Sequence, residues 1–217
     1  MIVLGLEGAL GKFSVAVARD DDIVATDALA GTVALEAGLG AVAAMLRTAG
    51  IEPNQLARIA VGIGPGGFTG LRITIAYAKS LAQAWERPLV PISSFDALEL
   101  GLELSRALCV VVGRTGVISA RYRAPGALAR ASGRIDEVLA EVLRDAEPGE
   151  LPVVGAPEDV SRALAEGGWL VKPFAPLRNP PAVAVALLGA SLPPATSVHE
   201  VRADYGELPA AKVPRLR

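Results

Sequence analysis

Short apolar runs alternate with turn residues over the first 30 positions, a pattern typical of β-strands joined by tight turns. Residues 2–6, 13–18 and 23–26 are the apolar runs, and residues 8–12 and the acidic residues 20–22 separate them. Sequential strands with such short connections pair antiparallel. The chain is therefore predicted to open with three antiparallel strands.

Longer apolar repeats at helical spacing predict helices over residues 33–48 and 71–85, with Gly50 just beyond the first helix. Residues 58–63 and 89–92 predict strands, and Ser94 is expected to cap a helix that ends near residue 104. Both long helices have only a narrow polar stripe, whereas a surface helix usually has a wide one. They are therefore either core helices or parts of an interface with a partner, and the pattern leaves both options open.

A second strand pair suggests that the opening architecture is duplicated. The predicted elements of the second half are strands over 108–112 and 117–122, a helix over 134–146, a strand over 151–154, a helix over 158–166, a strand over 169–171, and a helix over 181–188 capped by Asn179. The later copy is expected to be shorter and degraded. The prediction is a mixed α/β protein with domains over 1–100 and 101–217, whose last helix or tail packs back on the first domain.

Composition narrows the class of protein. Of 217 residues, 52% are hydrophobic, yet no run approaches the roughly 18 apolar residues that a membrane span needs. The start of the chain resembles a strand rather than a signal peptide, so the expected compartment is the cytoplasm. The single cysteine, Cys109, lies in an apolar run and is expected to be a buried hydrophobe.

Charge and histidine content exclude several functions. With 21 basic and 23 acidic residues, no global positive field would attract nucleic acid, so any nucleic-acid contact is expected to be local or made by a partner. The basic cluster is the tail with Lys212, Arg215 and Arg217. His199 is the only histidine, so the sequence predicts neither a histidine-based metal site nor a Ser-His-Asp triad.

A glycine-rich segment joins the strand over 58–63 to the helix after it. Its residues are Gly64, Pro65, Gly66, Gly67, Phe68, Thr69, Gly70, Leu71 and Arg72. Such a loop can present N–H groups to a phosphate at a helix N-terminus. No Gly-Lys-Ser/Thr follows, so it is not a Walker A loop, and it fits the dinucleotide fingerprint only weakly. A tight strand-to-helix turn that binds nothing is the alternative.

The segment over residues 60–73, above all its Gly-Pro-Gly-x-Phe-Thr-Gly-Leu-Arg string, resembles the signature of the bacterial TsaB (formerly YeaZ) family. The resemblance extends over roughly residues 1–100, with Glu7 where an aspartate is usual. That family is the non-catalytic relative of the TsaD transferase. The resemblance implies a two-lobed actin/Hsp70/sugar-kinase-like fold (the duplicated, ribonuclease-H-like ASKHA fold) with mixed sheets.

The resemblance also implies a function. It suggests a scaffold subunit that pairs with a TsaD-type transferase in threonylcarbamoylation of the adenosine next to the anticodon in tRNAs that read A-starting codons. A TsaE-type ATPase joins that complex, and the subunit forms a homodimer when alone. The expectation is no catalytic residue, no metal, and no cofactor except ATP or ADP at the partner interface.

Site residues follow from the same resemblance. The glycine segment over 64–72 is expected to be a structural or partner-binding loop, and Glu7 a possible vestigial nucleotide site. The expected interface positions on the two long helices are Leu35, Gly38, Leu39, Val42, Met45, Ile75, Ala78 and Ala82. The alternative function is a degenerate small-molecule kinase of the same superfamily with its own nucleotide site, and a peptidase is a weaker rival.

Overall fold

Three antiparallel strands open the chain: β1 (Ile2–Glu7), β2 (Phe13–Arg19) and β3 (Asp22–Leu29). The structure is a computed structural model, and it describes residues 1–29, 33–113, 117–175 and 180–206. The predicted opening is confirmed, because the apolar runs form the strands and the short polar segments form the turns.

The rest of the first half adds helices and two parallel strands to this sheet. Its elements are α1 (Val33–Ala49), a 3-10 turn (Pro53–Gln55), β4 (Arg58–Gly62), α2 (Phe68–Ala84), β5 (Leu89–Ile92) and α3 (Ser94–Glu99). β4 pairs parallel with β1, and β5 pairs parallel with β4, which gives the strand order β3-β2-β1-β4-β5.

In the first half, α2 and α3 differ from the sequence prediction, and in the second half α4 ends at Val142 rather than at residue 146 and α6 ends at Ser191 rather than at residue 188. α2 begins at Phe68 rather than at residue 71, so the end of the glycine segment forms its first turn. α3 is capped by Ser93, whose hydroxyl accepts the N–H of Phe95, and the helix ends at Glu99 rather than near residue 104. Gly101 follows with a positive φ of 76°, a conformation that suits glycine just beyond a helix.

The second half repeats the topology of the first. Its elements are β6 (Ala107–Val112), β7 (Val117–Ala124), β8 (Ala127–Arg134), α4 (Ile135–Val142), β9 (Glu150–Val154), α5 (Glu158–Glu166), β10 (Leu170–Phe174) and α6 (Ala182–Ser191). The strand order is β10-β9-β6-β7-β8, which is the order of the first sheet with each strand replaced by its counterpart.

Strand β8 was not predicted, and its omission made the second copy look degraded. It is an edge strand with mostly exposed or half-exposed residues and the sequence ALARASGR. Because neither face is fully buried, no apolar alternation marks it. The predicted cap at Asn179 lies outside the described residues.

The first sheet is covered on both faces. Alternate residues of β1 and β4, among them Leu4 and Ile59, pack with α1 and α2. The residues between them, among them Val3 and Ala60, pack against α6 from the far end of the chain. α6 is apolar all round, with most of its residues buried, as a helix enclosed by other elements should be.

Polar contacts connect the two halves. Arg121 on β7 bonds to Asp96 of α3 at 2.6 Å and to Glu99 at 3.1 Å, and Glu99 also pairs with Arg123 at 3.2 Å. Asp204 pairs with Arg130 on β8, and its N–H bonds to the Ile63 carbonyl at 2.7 Å. The segment around Asp204 therefore ties the glycine loop to the second sheet.

Two sequence expectations concern the interior and the membrane. Cys109 is fully buried, which confirms the expected structural role, and burial raises the pKa of its thiol far above the ordinary value. Among the described helices, none has the length and apolar character that crossing a bilayer requires.

Close approach of α6 to the first sheet depends on the absence of a side chain at Gly189. A Cβ there would collide with the Cβ of Ala60 and lie 3.1 Å from Val3. At Gly40, in the interior of α1, a Cβ would meet no atom within 4 Å. The same substitution should therefore have opposite effects at the two positions.

We expect Gly189→Ala to lower the free energy of unfolding by about 1–3 kcal/mol, because overpacking forces the helix away from the sheet. Gly40→Ala should raise it by about 0.5–1 kcal/mol, because alanine favours the helix. Urea unfolding of both variants measures the two effects. Equal stabilisation of both variants would show that α6 does not pack as described.

Candidate functional site

The glycine segment forms a short connection at the edge of the first sheet. β4 ends at Gly62 and α2 begins at Phe68, so the loop proper spans residues 63–67. Gly64 and Pro65 are buried, whereas Phe68, Thr69 and Arg72 in the first turn of α2 are exposed. The segment therefore has an inner half that packs and an outer half that faces solvent.

Three separate parts of the chain hold the inner half of the loop. The N–H of Gly67 bonds to the carbonyl of Ala9 in the β1–β2 turn at 2.7 Å. The carbonyl of Gly64 accepts the N–H of Ser94 at 2.8 Å, and that of Ile63 accepts the N–H of Asp204. The N–H of Gly67 thus bonds within the protein rather than to a phosphate.

Two glycines in the segment are required by the closeness of the β1–β2 turn. Gly66 has a φ of 150°, and a Cβ on it would collide with the Ala9 carbonyl. A Cβ on Gly70, in the first turn of α2, would collide with the Gly8 carbonyl. Backbone packs directly on backbone here, which only glycine allows.

The outer half presents aromatic and cationic side chains. Phe68 is 56% exposed, its ring centroid lies 5.2 Å from that of Tyr205, and the Arg72 guanidinium lies 5.1 Å from its ring centre. Aromatic and arginine side chains of this kind are enriched at protein interfaces. The sequence motif indicated a loop here but not its pairing with Tyr205, which is distant in sequence.

Most of the expected interface positions are instead core residues. Val42, Met45, Ile75, Ala78 and Ala82 are buried and belong to the hydrophobic core of the first half. These side chains contact the protein's own sheet, so their assignment to a partner-facing surface is corrected. The apolar pattern correctly indicated that these positions are buried, but it could not show which surface covers them.

The other three positions on α1 differ from these. Gly38 is buried, and a Cβ there would meet the Tyr77 ring at 2.5 Å. Leu39 is 44% exposed and faces outward. The side chain of Leu35 lies outside the part of the chain that the structure describes.

Few of the described side chains on the outward faces of α1 and α2 are charged. On α1, where side chains are described from residue 37 onward, the exposed residues are Leu39, Gly40, Ala43, Ala44, Arg47 and Thr48, and on α2 they include Arg72, Ala76, Ser80 and Gln83. We call these two sets together the outer helix face. Small side chains on it would permit a second helix to approach closely.

Glu7 lies at the end of β1, fully buried beside the β1–β2 turn. Its Oε1 accepts the N–H of Ala9 at 2.7 Å, and its Oε2 accepts that of Leu10 at 3.1 Å. Burial raises the pKa of the carboxyl from 4.5 to about 7, although the N–H groups of Leu10, Ala9 and Gly8 lower it. The residue was expected to be at most a vestigial site, and nothing in the sequence indicated this bonding.

A cleft of about 490 Å³ lies between the two halves, next to this turn. Its lining is largely apolar, with Ala9 and Leu10 from the first half and Leu98, Val110 and Val111 opposite. Among the described residues, no three histidine, cysteine, aspartate or glutamate side chains are grouped so that they could hold a metal ion. None of the described residues that line the cleft has a charged side chain.

Comparison with known sequences identifies related proteins. The family model for the tRNA N6-adenosine threonylcarbamoyltransferase TsaD matches residues 35–179. That enzyme from Thermomicrobium roseum is 32% identical over 113 residues, which cover 44% of this chain and 31% of the relative. TsaB of Bacillus subtilis, a tRNA threonylcarbamoyladenosine biosynthesis protein, is 30% identical over 100 residues, 45% of this chain and 43% of the relative. The matches thus span less than half of these relatives.

Solved structures show the same fold over nearly the whole chain. YeaZ from Pseudomonas aeruginosa superimposes with a TM-score of 0.70 at 20% identity, covering 94% of this chain and 99% of that one. An actin-like ATPase fold from Bacteroides thetaiotaomicron gives 0.53, and a ROK hexokinase from Thermus thermophilus gives 0.51. The predicted actin/sugar-kinase-like α/β fold is confirmed.

The raised pKa of Glu7 makes the stability of the protein depend on pH. Because the pKa is about 7 in the folded protein and 4.5 ordinarily, the folded state binds the proton more tightly. The resulting stabilisation is complete below pH 4.5 and is lost as the pH rises through 7. Over that range it amounts to about 3 kcal/mol.

Glu7→Gln tests this dependence, because the amide has the same shape but no charge at any pH. Relative to this variant, the wild-type protein should lose about 3 kcal/mol of unfolding free energy between pH 4.5 and 9. Urea unfolding at several pH values measures the difference. If the unfolding free energies of the two proteins changed with pH in the same way, the raised pKa of Glu7 would be contradicted.

Proposed function

We propose that this chain, which belongs to the TsaD family of tRNA N6-adenosine threonylcarbamoyltransferases and within it to the TsaB/YeaZ group, is a non-catalytic subunit that pairs with a TsaD-type transferase. The pair would threonylcarbamoylate the adenosine next to the anticodon of tRNAs that read A-starting codons. A TsaE-type ATPase would join the complex. The outer helix face is the observation that carries the pairing proposal.

The outer helix face suits a helical partner better than solvent. One side of α1 and α2 is committed to the core, so only the outward side is free to bind. That side exposes Leu39, Gly40, Ala43 and Ala44 in succession, with Arg47 at its end. Exposed apolar area of this kind is characteristic of interaction sites.

A scaffold role agrees with the side chains available for chemistry. The one histidine, His199, is exposed in a turn after α6. Glu7, the carboxyl nearest the cleft, is turned into the β1–β2 turn and bonded to its amides. In this proposal the partner supplies the metal and the transfer chemistry, and ATP or ADP binds only where the two subunits meet.

Contact with tRNA is proposed to be made mainly by the partner. The chain has a net charge of −2, so it offers little general attraction to the phosphate backbone. The basic tail with Lys212, Arg215 and Arg217 lies outside the described residues, and its role is left open by this proposal.

A charge on the outer helix face should disrupt the pairing. We expect Ala43→Glu to weaken binding to a TsaD-type partner at least tenfold, because a carboxylate would be desolvated in an apolar contact. tRNA threonylcarbamoylation reconstituted with the partner proteins should fall in parallel. Calorimetric titration and a modification assay measure the two effects.

Ala140→Glu, on the exposed side of α4, is the matched control, because it introduces the same charge on a helix of the second half. It should bind and support modification as the wild-type protein does. Circular dichroism should show both variants folded. Normal pairing by Ala43→Glu would place the interface elsewhere and overturn the proposal.

Alone, the chain is expected to self-associate through the same face, as an isologous dimer. Analytical ultracentrifugation at micromolar concentration should find a dimer for the wild-type protein and for Ala140→Glu, but a monomer for Ala43→Glu. A wild-type monomer at all concentrations would show that the face does not bind a second copy.

The alternative is a degenerate kinase-like protein with its own nucleotide site, as the ROK hexokinase fold allows. The apolar lining of the cleft and the bonded state of Glu7 count against it. Micromolar binding of ATP or ADP by the isolated chain would favour this alternative over the scaffold.

A further inference from the structure

The Glu7 side chain bends back over the turn that follows it. Oε1 and Oε2 accept N–H groups from Ala9 and Leu10, and the N–H of Gly8 also acts on the carboxyl. Successive backbone N–H groups that converge on one point form a nest, a concavity that typically binds an anion. The concavity here is filled from within the chain.

We propose that the Glu7 carboxyl is an internal ligand of the β1–β2 turn, occupying the amide nest that a small external anion would otherwise fill. The inference goes beyond the pairing function and does not depend on it. It assigns the turn a carboxyl group as its ligand, and it makes Glu7 a positioning residue for the elements that rest on the turn.

The surroundings of Glu7 are shaped to hold a carboxyl. On the neighbouring strand β4, a Cβ at Gly62 would lie 2.9 Å from both the Cγ and the Oε1 of Glu7, so glycine makes the room. No charged side chain contributes to the Glu7 pKa, which reflects burial and backbone N–H groups. The turn amides are therefore the polar groups that fix the carboxyl within the described part of the chain.

The β1–β2 turn, with the Glu7 carboxyl bonded to its amides, also supports the start of α2. The Ala9 carbonyl accepts the N–H of Gly67, and the Gly8 carbonyl abuts Gly70. Removing the carboxyl would leave the buried N–H of Ala9 and the half-buried N–H of Leu10 without their acceptor, which is costly for the buried group. The turn, and the helix start packed on it, would then lose a fixed position.

The 490 Å³ cleft provides a route by which a small molecule could reach the nest, because Ala9 and Leu10 line it as well. Glu7→Ala removes Cγ, Cδ and both side-chain oxygens. Acetate has a methyl carbon, a carboxyl carbon and two oxygens, which correspond to the four atoms removed. It is therefore the external ligand that matches the space.

Chemical rescue by acetate tests the proposal. At pH 5, where the Glu7 carboxyl keeps its proton in the folded protein and much of the acetate is acetic acid, Glu7→Ala should melt at a lower temperature than the wild-type protein. Acetate should raise its Tm saturably relative to chloride at equal ionic strength, by about 2–4 °C at roughly five times the acetate Kd. The wild-type protein and Val153→Ala, a buried truncation in the second sheet, should respond equally to the two salts. If the Tm of Glu7→Ala were the same in acetate as in chloride, the proposal would be overturned.

A measurement on the intact protein keeps the proposal testable if Glu7→Ala does not fold. In an NMR titration, the amide resonances of Ala9 and Leu10 should shift with the ionisation of Glu7, with a common midpoint near pH 7. These shifts should vanish in Glu7→Gln. Amides that do not follow the titration would show that the carboxyl is not the ligand of the turn.

Discussion

The contact between the β1–β2 turn and the first turn of α2 is the constraint on which the functional half of this protein depends. Backbone meets backbone there, at Gly8 against Gly70 and at Ala9 against Gly66 and Gly67. A side chain at Gly66 or Gly70 would separate the two segments. Because α2 starts from this contact, the position of the outer helix face follows from it.

The same contact accounts for two of the glycines in the motif. A glycine-rich strand-to-helix loop is usually read as an anion site, since its N–H groups point toward a ligand. In this protein the Gly67 N–H bonds to Ala9 and the turn amides bond to Glu7. The Gly67 N–H is therefore bonded within the protein, and closeness to the β1–β2 turn explains Gly66 and Gly70.

Much of the fold could be predicted from the sequence, because apolar periodicity reports burial directly. The opening strands and both long helices followed from it, and the actin-like class followed from the resemblance of the glycine segment to the TsaB family. Strand β8 did not follow, since an exposed edge strand has no periodic apolar face. The candidate site was harder to predict from the sequence. Periodicity placed Val42 and Ile75 on buried faces, but it could not distinguish the protein's own sheet from a partner.

The contacts of Glu7 could not be predicted from the sequence for a similar reason. A carboxylate at the end of a strand usually suggests a ligand or a solvated charge, and only the fold of the turn shows that its partners are the next three amides. Such a residue is costly to bury and is tolerated only where bonding offsets the cost. Here the bonding fixes a turn, the turn fixes the start of a helix, and that helix carries part of the outer face.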